Sequence, residues 1–127
     1  MKKLTIYTDG GSKGNPGPMT IGIVFQEESK VIRKMSKKIG FGTNNQAEYT
    51  AVITALDLAY KLKYKDVELR SDSQLLINQL KGEFKVSSKN IIDLFKKVNT
   101  LKSKFDKITF KWIPRNENTL ADSLSNK

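Results

Sequence analysis

The chain contains neither cysteine nor histidine. Without cysteine there is no disulfide, no thiolate nucleophile and no structural zinc site of the usual Cys/His kind. Without histidine there is no Ser-His-Asp triad, no Cys-His pair and no imidazole general base. Any chemistry therefore falls to carboxylates, amines, hydroxyls or a hard metal ion held by oxygen. Arginine is scarce as well, with only Arg33, Arg70 and Arg115 among the 23 Lys and Arg. Long apolar runs are missing. The stretch Leu4-Thr5-Ile6-Tyr7 ends before Asp9, too short for the core of a signal sequence. Nothing approaches about 18 apolar residues in a row. A soluble protein with no membrane contact and a cytoplasmic location is the expectation, and the lack of cysteine fits a reducing compartment.

What is present describes a globular chain. Its 127 residues suit one domain, residues 1–127, with enough length to bury an independent core. Hydrophobic residues make up 38%, which argues against disorder. The balance of 23 Lys+Arg against 13 Asp+Glu leaves a net charge of +10. A surface dominated by lysine favours non-specific contact with a polyanion over bidentate base reading. The plainer reading of that charge is a well-solvated surface.

Periodicity divides the chain. Residues 3–9, 19–26 and 31–39 read as strands in an antiparallel meander, with a long Gly/Pro turn over 10–18. Residues 44–62 change period: Ala47, Ala51, Ala55, Leu58, Ala59 and Leu62 recur at helical steps, with Glu48 three residues after Asn45 in cap spacing. A strand over 66–71, helices over 73–81 and 88–104, a strand over 107–113 and a helix over 118–126 follow. The order β-β-β-α-β-α-α-β-α predicts an α/β fold with a five-stranded mixed sheet flanked by helices. Strands 1, 4 and 5 can pair in parallel through helical crossovers. Trp112 is expected to pack in the core, although both it and Phe41 invite a base-stacking reading.

The carboxylates carry the chemistry. Asp9 closes the first strand and Asp72 the fourth. Parallel pairing would bring both to one carboxyl edge, at the point where the connections diverge and open sheets bind ligands. Glu48, one turn into the first helix, can project to the same edge. Asp122 lies in Leu120-Ala121-Asp122-Ser123-Leu124, whose apolar members would dock it on the sheet. Taken singly each has a plainer role: Asp9 in a turn, Glu48 answering the helix dipole, Asp72 as a cap, Asp122 solvated. Together they would repel one another unless a cation sits among them. Without His or Cys, that cation is Mg²⁺ or Mn²⁺. Two such ions about 4 Å apart can activate water and stabilise a leaving oxygen in phosphodiester hydrolysis.

Five sequence words stand in order around these acids: Tyr7-Thr8-Asp9-Gly10-Gly11-Ser12, Gly14-Asn15-Pro16-Gly17-Pro18, Thr43-Asn44-Asn45-Gln46-Ala47-Glu48, Asp72-Ser73-Gln74 and Asn118-Thr119-Leu120-Ala121-Asp122. In order and spacing, from about residue 4 to residue 126, they resemble the type 1 ribonuclease H family, in the branch without a histidine in the active-site loop. The resemblance implies the ribonuclease H-like fold and a metal-dependent endoribonuclease. Such an enzyme cuts the RNA strand of RNA–DNA hybrids with two divalent ions and leaves 5'-phosphate ends. It implies Asp9, Glu48, Asp72 and Asp122 as the catalytic, metal-binding carboxylates. Gly10, Gly11, Ser12, Asn15, Asn44, Asn45 and Gln74 match positions that face the hybrid's minor groove, and Thr43 one that touches the DNA phosphate. Small residues there let backbone approach, and amides can reach 2'-hydroxyls.

Two departures from the family's pattern bear on mechanism. The loop before Asp122 is Pro114-Arg115-Asn116-Glu117-Asn118, so Arg115 stands where many members have histidine and would contact phosphate without acting as a base. Activity is then expected to rise with pH without an imidazole step near 6.5. Second, Lys81-Gly82-Glu83-Phe84-Lys85-Val86 is short where some members carry an extra basic helix-loop, leaving Lys85, Lys89, Lys96 and Lys97 for substrate grip. The alternatives are an inactive nucleic-acid-binding module of the same fold and a relative that also cuts double-stranded RNA. A monomer is the expected state.

Overall fold

The computed structural model describes residues 2–127. The strands are β1 (Lys3–Ser12), β2 (Gly17–Glu27), β3 (Lys30–Gly42), β4 (Asp66–Ser71) and β5 (Lys107–Trp112). The helices are α1 (Asn44–Lys61), α2 (Gln74–Leu80), α3 (Lys89–Lys102) and α4 (Thr119–Ser125), with a 3-10 turn at Arg115–Glu117. One mixed sheet has the order β3-β2-β1-β4-β5. β1, β2 and β3 form the antiparallel meander, while β4 pairs parallel with both β1 and β5.

The long turn expected over residues 10–18 is shorter than its glycines suggest. Gly10, Gly11 and Ser12 stay in the ladder opposite Ile21, Thr20 and Met19. A partner strand that continues keeps glycines extended, so only residues 13–16 leave the sheet. The cap of α1 also differs from the expected Asn45/Glu48 spacing. Thr43 is the N-cap: its hydroxyl accepts from the Gln46 amide, and the Gln46 side chain accepts from the Thr43 amide. This reciprocal box leaves Glu48 free of capping duty.

Alternation along β1 sorts its side chains. Leu4, Ile6 and Thr8 are buried on one face, while Thr5, Tyr7 and Asp9 point to the other. The first face packs with Ile21, Ile23, Phe25, Val67 and Leu69 against Ala51, Val52, Ala55, Leu56 and Ala59 of α1. The small alanines let α1 lie close on the sheet, and Ile91, Val98 and Leu101 of α3 close the layer behind it. The opposite face carries only a small cluster, Val24, Ala121 and Leu124 with Tyr7, beneath α4. Among the described residues no helix is long and apolar enough to cross a membrane.

Trp112 is not a core residue. It ends β5, remains 40% exposed, and donates its indole N–H to the Asp72 carbonyl. The apolar neighbour that goes inside is Ile113, 2% exposed. Phe41, near the end of β3, is 70% exposed.

Candidate active site

Asp9 does not close its strand as expected, because β1 runs on to Ser12 against β2; it lies just past Tyr7 and Arg70, the last pair of the parallel β1–β4 ladder, and so beside the end of β4. Asp72 is the first residue past the end of β4. Glu48 reaches them through an approach that only glycine permits. A Cβ on Gly10 would lie 2.5 Å from the Ala47 carbonyl carbon and oxygen, and 2.8 Å from the Glu48 nitrogen. The first turn of α1 therefore rests directly on β1, beside Asp9. Carboxylate oxygens of Asp9, Glu48 and Asp72 lie within 4.8 Å of one another.

α4 arrives from the other face by the same device. Gly22 is the partner of Asp9 in the ladder, and a Cβ there would meet the Ala121 oxygen at 2.2 Å and the Ser125 nitrogen at 2.7 Å. Ser125 donates its hydroxyl to Asp9 Oδ2 at 2.7 Å. Asn118, buried at the start of α4, does not cap the helix with its side chain; it donates to the Thr8 carbonyl at 3.0 Å. Asp122 lines the same cleft but stands outside the tight trio. Arg115 pairs with it at 3.5 Å, and Asn126 donates to its Oδ1 at 3.1 Å.

The cleft, of about 390 Å³, is lined by Asp9, Gly10, Gly11, Ser12, Asn44, Glu48, Asp72, Arg115, Asp122, Ser125 and Asn126. The structure thus gathers all four carboxylates with Gly10, Gly11, Ser12, Asn44 and Arg115. Asn15, Thr43, Asn45 and Gln74 lie outside the lining. Asn15 accepts from the Asn44 amide at 3.0 Å, and Asn44 in turn accepts from the Ser12 amide at 2.8 Å, so the two asparagines brace the β1 end against α1. Ser125, Asn126, Gly22 and Trp112 were not singled out as site residues by sequence. Ser125 follows Asp122 by three residues, a helical spacing that could have flagged it.

Electrostatics set the trio apart from the other acids. Burial pushes the Asp9 carboxyl up to about 6, with the Asp72 and Asp122 charges adding to it against the Ser125 hydrogen bond. Burial likewise pushes Glu48 up to about 7, with Asp9 and Asp72 adding. In a chain of net charge +10, no Lys or Arg among the described residues comes within ion-pair distance of Asp9, Glu48 or Asp72. The oxygen-only donor set matches a hard divalent ion. The lack of histidine does not leave the window near pH 6.5 without a candidate group, because burial raises both carboxyls toward it.

Comparison with known proteins agrees with this geometry. A family model described as "Reverse transcriptase-like" matches residues 7–127. Ribonuclease HI of Caulobacter vibrioides is 33% identical over 147 residues, covering 98% of this chain and 91% of that protein. The chain belongs to the ribonuclease H family. A bifunctional protein of Mycobacterium tuberculosis is 40% identical over 126 residues, and there the chain spans 98% of its own length but 35% of the relative's. The N-terminal RNase H domain solved from that organism superposes with a TM-score of 0.94 at 39% identity, covering 99% of this chain and 92% of the solved one. A ribonuclease H1 isolated from compost, solved with an RNA/DNA hybrid, gives a TM-score of 0.89 at 41% identity, covering 97% of this chain and 94% of the other. The ribonuclease H fold explains why a β-β-β-α-β-α-α-β-α order ends with a short helix returning to β1: that return brings Asp122 to the edge where Asp9 and Asp72 emerge.

Proposed function

We propose that this chain hydrolyses the RNA strand of RNA–DNA hybrids, with Asp9, Glu48, Asp72 and Asp122 holding two divalent ions, Mg²⁺ or Mn²⁺. The observation that carries the reading is a trio of carboxylates on a basic protein, without an ion-pair partner among the described residues and set where the β1–β4 ladder ends. When bound, such ions lower the pKa of water toward neutrality and stabilise the oxygen that departs.

The chain's own residues do the rest. Ser125 holds Asp9 by one oxygen and leaves the other for the cleft. Gly10 and Gly11 present bare backbone, and Ser12 and Asn44 present hydroxyl and amide groups suited to 2'-hydroxyls and base edges. Arg115, 78% exposed at its side chain, can leave Asp122 for a phosphate at little cost, because an exposed ion pair contributes only about 0–1 kcal/mol. Lys85, Lys89, Lys96 and Lys97 are all exposed and supply dispersed backbone contacts.

The test is hydrolysis of a labelled hybrid across Mg²⁺ and Mn²⁺ concentrations, with duplex RNA and duplex DNA alongside and Asp9→Asn as control. Cleavage confined to the hybrid's RNA strand, leaving 5'-phosphates and absent in Asp9→Asn, is the expected result. Binding without cleavage at every metal concentration would replace the enzyme with an inactive binding module. Equal cutting of duplex RNA would broaden the substrate class.

A further inference from the structure

The half-exposed indole at the end of β5 has no explanation in packing, and its one polar atom is spent beside the site. The β4–β5 ladder ends at the pair Ser71 and Trp112, where the Ile113 amide donates to the Ser71 carbonyl at 3.0 Å. Asp72 is the next residue, beyond the last rung. Its carbonyl receives the Trp112 Nε1–H at 3.1 Å. The bonds that follow belong to the start of α2: the Ser73 amide donates to Ser71 Oγ at 3.1 Å, and Ser73 Oγ accepts from the Leu76 amide at 3.2 Å.

We infer that Trp112 is a positioning residue for Asp72, fastening its carbonyl where the sheet no longer does. A strand end past its last ladder bond is free to turn about ψ, and a turn at residue 72 re-aims the peptide on which α2 begins. Held at Ser71 by the ladder and at its own carbonyl by the indole, Asp72 is clamped from both sides. Its carboxylate then stays with Asp9 and Glu48 instead of swinging toward solvent. A donor of this kind must be rigid and long enough to cross from the neighbouring strand; indole meets both needs and presents only a donor. The inference rests on the metal-site reading above, and the experiment separates the two.

Three proteins are compared: wild type, Trp112→Phe and Trp112→Leu. Phenylalanine keeps an aromatic face and deletes the N–H; leucine deletes both. Each is titrated with Mn²⁺ alone by calorimetry, then assayed on the hybrid for kcat and KM, with its melting temperature recorded. The expected result is that both variants bind Mn²⁺ about fivefold more weakly, the loss of one hydrogen bond. In both, kcat should fall by a similar factor while KM holds. Mn²⁺ affinity in Trp112→Phe equal to wild type, whether or not Trp112→Leu weakens, would overturn the inference and leave ring packing as the residue's role. A wild type that binds Mn²⁺ but cuts no hybrid would sink the proposed activity while the Mn²⁺ comparison still decides the role of Trp112. A wild type that binds no Mn²⁺ would overturn both.

Discussion

Helices α1 and α4 sit on opposite faces of the same sheet, and each brings a carboxylate to one cleft by crossing a strand at a glycine. Their attachments differ in kind. α1 has 18 residues and buries Ala47, Tyr49, Ala51, Val52, Ala55, Leu56 and Ala59 against a continuous core. α4 has 7 residues and buries Ala121, Leu124 and Ser125. Its seat depends on directional bonds: Ser125 to Asp9, Asn118 to the Thr8 carbonyl, and the Ser36 hydroxyl to the Leu124 carbonyl at 2.6 Å. A helix of two turns has no stability of its own and lasts only as long as its contacts do. Glu48 is therefore set in place by the hydrophobic core, whereas Asp122 is as well placed as a handful of polar bonds allow.

The contrast is tested most severely at the two acids themselves. Glu48 lies in the trio whose oxygens gather within 4.8 Å, and Asp122 lies outside it, answered by Arg115 and Asn126. Glu48→Gln is expected to reduce kcat by more than about a hundredfold, the scale of several kcal/mol of lost charge stabilisation. Asp122→Asn, which keeps a hydrogen-bonding oxygen, should lose only about tenfold. Steady-state cleavage of the hybrid at saturating Mg²⁺ measures both. Equal losses would mean that α4 is as firmly part of the centre as α1.

The glycines probe the same difference in stability. An added methyl at Gly10 meets backbone of α1, which cannot yield without disturbing the core, so Gly10→Ala should lower unfolding free energy by about 3 kcal/mol. Gly22→Ala meets backbone of α4, which can lift away, and should cost about 1 kcal/mol in urea unfolding. The signature of lifting is local. Amides of α4 should exchange with solvent faster in Gly22→Ala, while those of α1 hold their protection. Slow exchange in α4 of the variant would show that this helix is part of the cooperative core after all.

Much of this was readable from the chain. The element order, the parallel placement of strands 1, 4 and 5, and the convergence of Asp9, Glu48 and Asp72 follow from hydrophobic period and element order, which are local signals, although Asp9 lies within β1 and not at its end. What escaped depended on partners far away in sequence. Gly10, Gly11 and Ser12 look like a turn until β2 is known to continue beside them. Trp112 looks like core because its neighbour Ile113 is; which of the two goes inside is decided by where β5 ends against β4. Gly22 reads as an ordinary strand glycine, and its use appears only when α4 is laid across it. Ser125 and Asn118 take their meaning from bonds spanning 116 and 110 residues.

The metal-free protein should also respond to pH. Folding raises Glu48 from its ordinary 4.5 to about 7 and Asp9 from 3.8 to about 6, in both cases chiefly through burial. Between the ordinary and the raised values the folded state binds more protons than the unfolded one, so stability falls as pH rises. The loss should begin near pH 4 and be complete a little above pH 7. Glu48→Gln removes the group whose carboxyl is held highest, so it should flatten the upper part of that decline and raise the melting temperature at pH 8 in the presence of a chelator. Saturating Mg²⁺ should cancel the decline in the wild type, since the ion supplies the charge that protons otherwise bring. Melting temperature against pH from 4 to 8, with and without Mg²⁺, reads all three curves. A metal-free protein whose stability is level through that window would mean that α1 does not hold Glu48 away from water, and the firmness attributed to that side of the cleft would go with it.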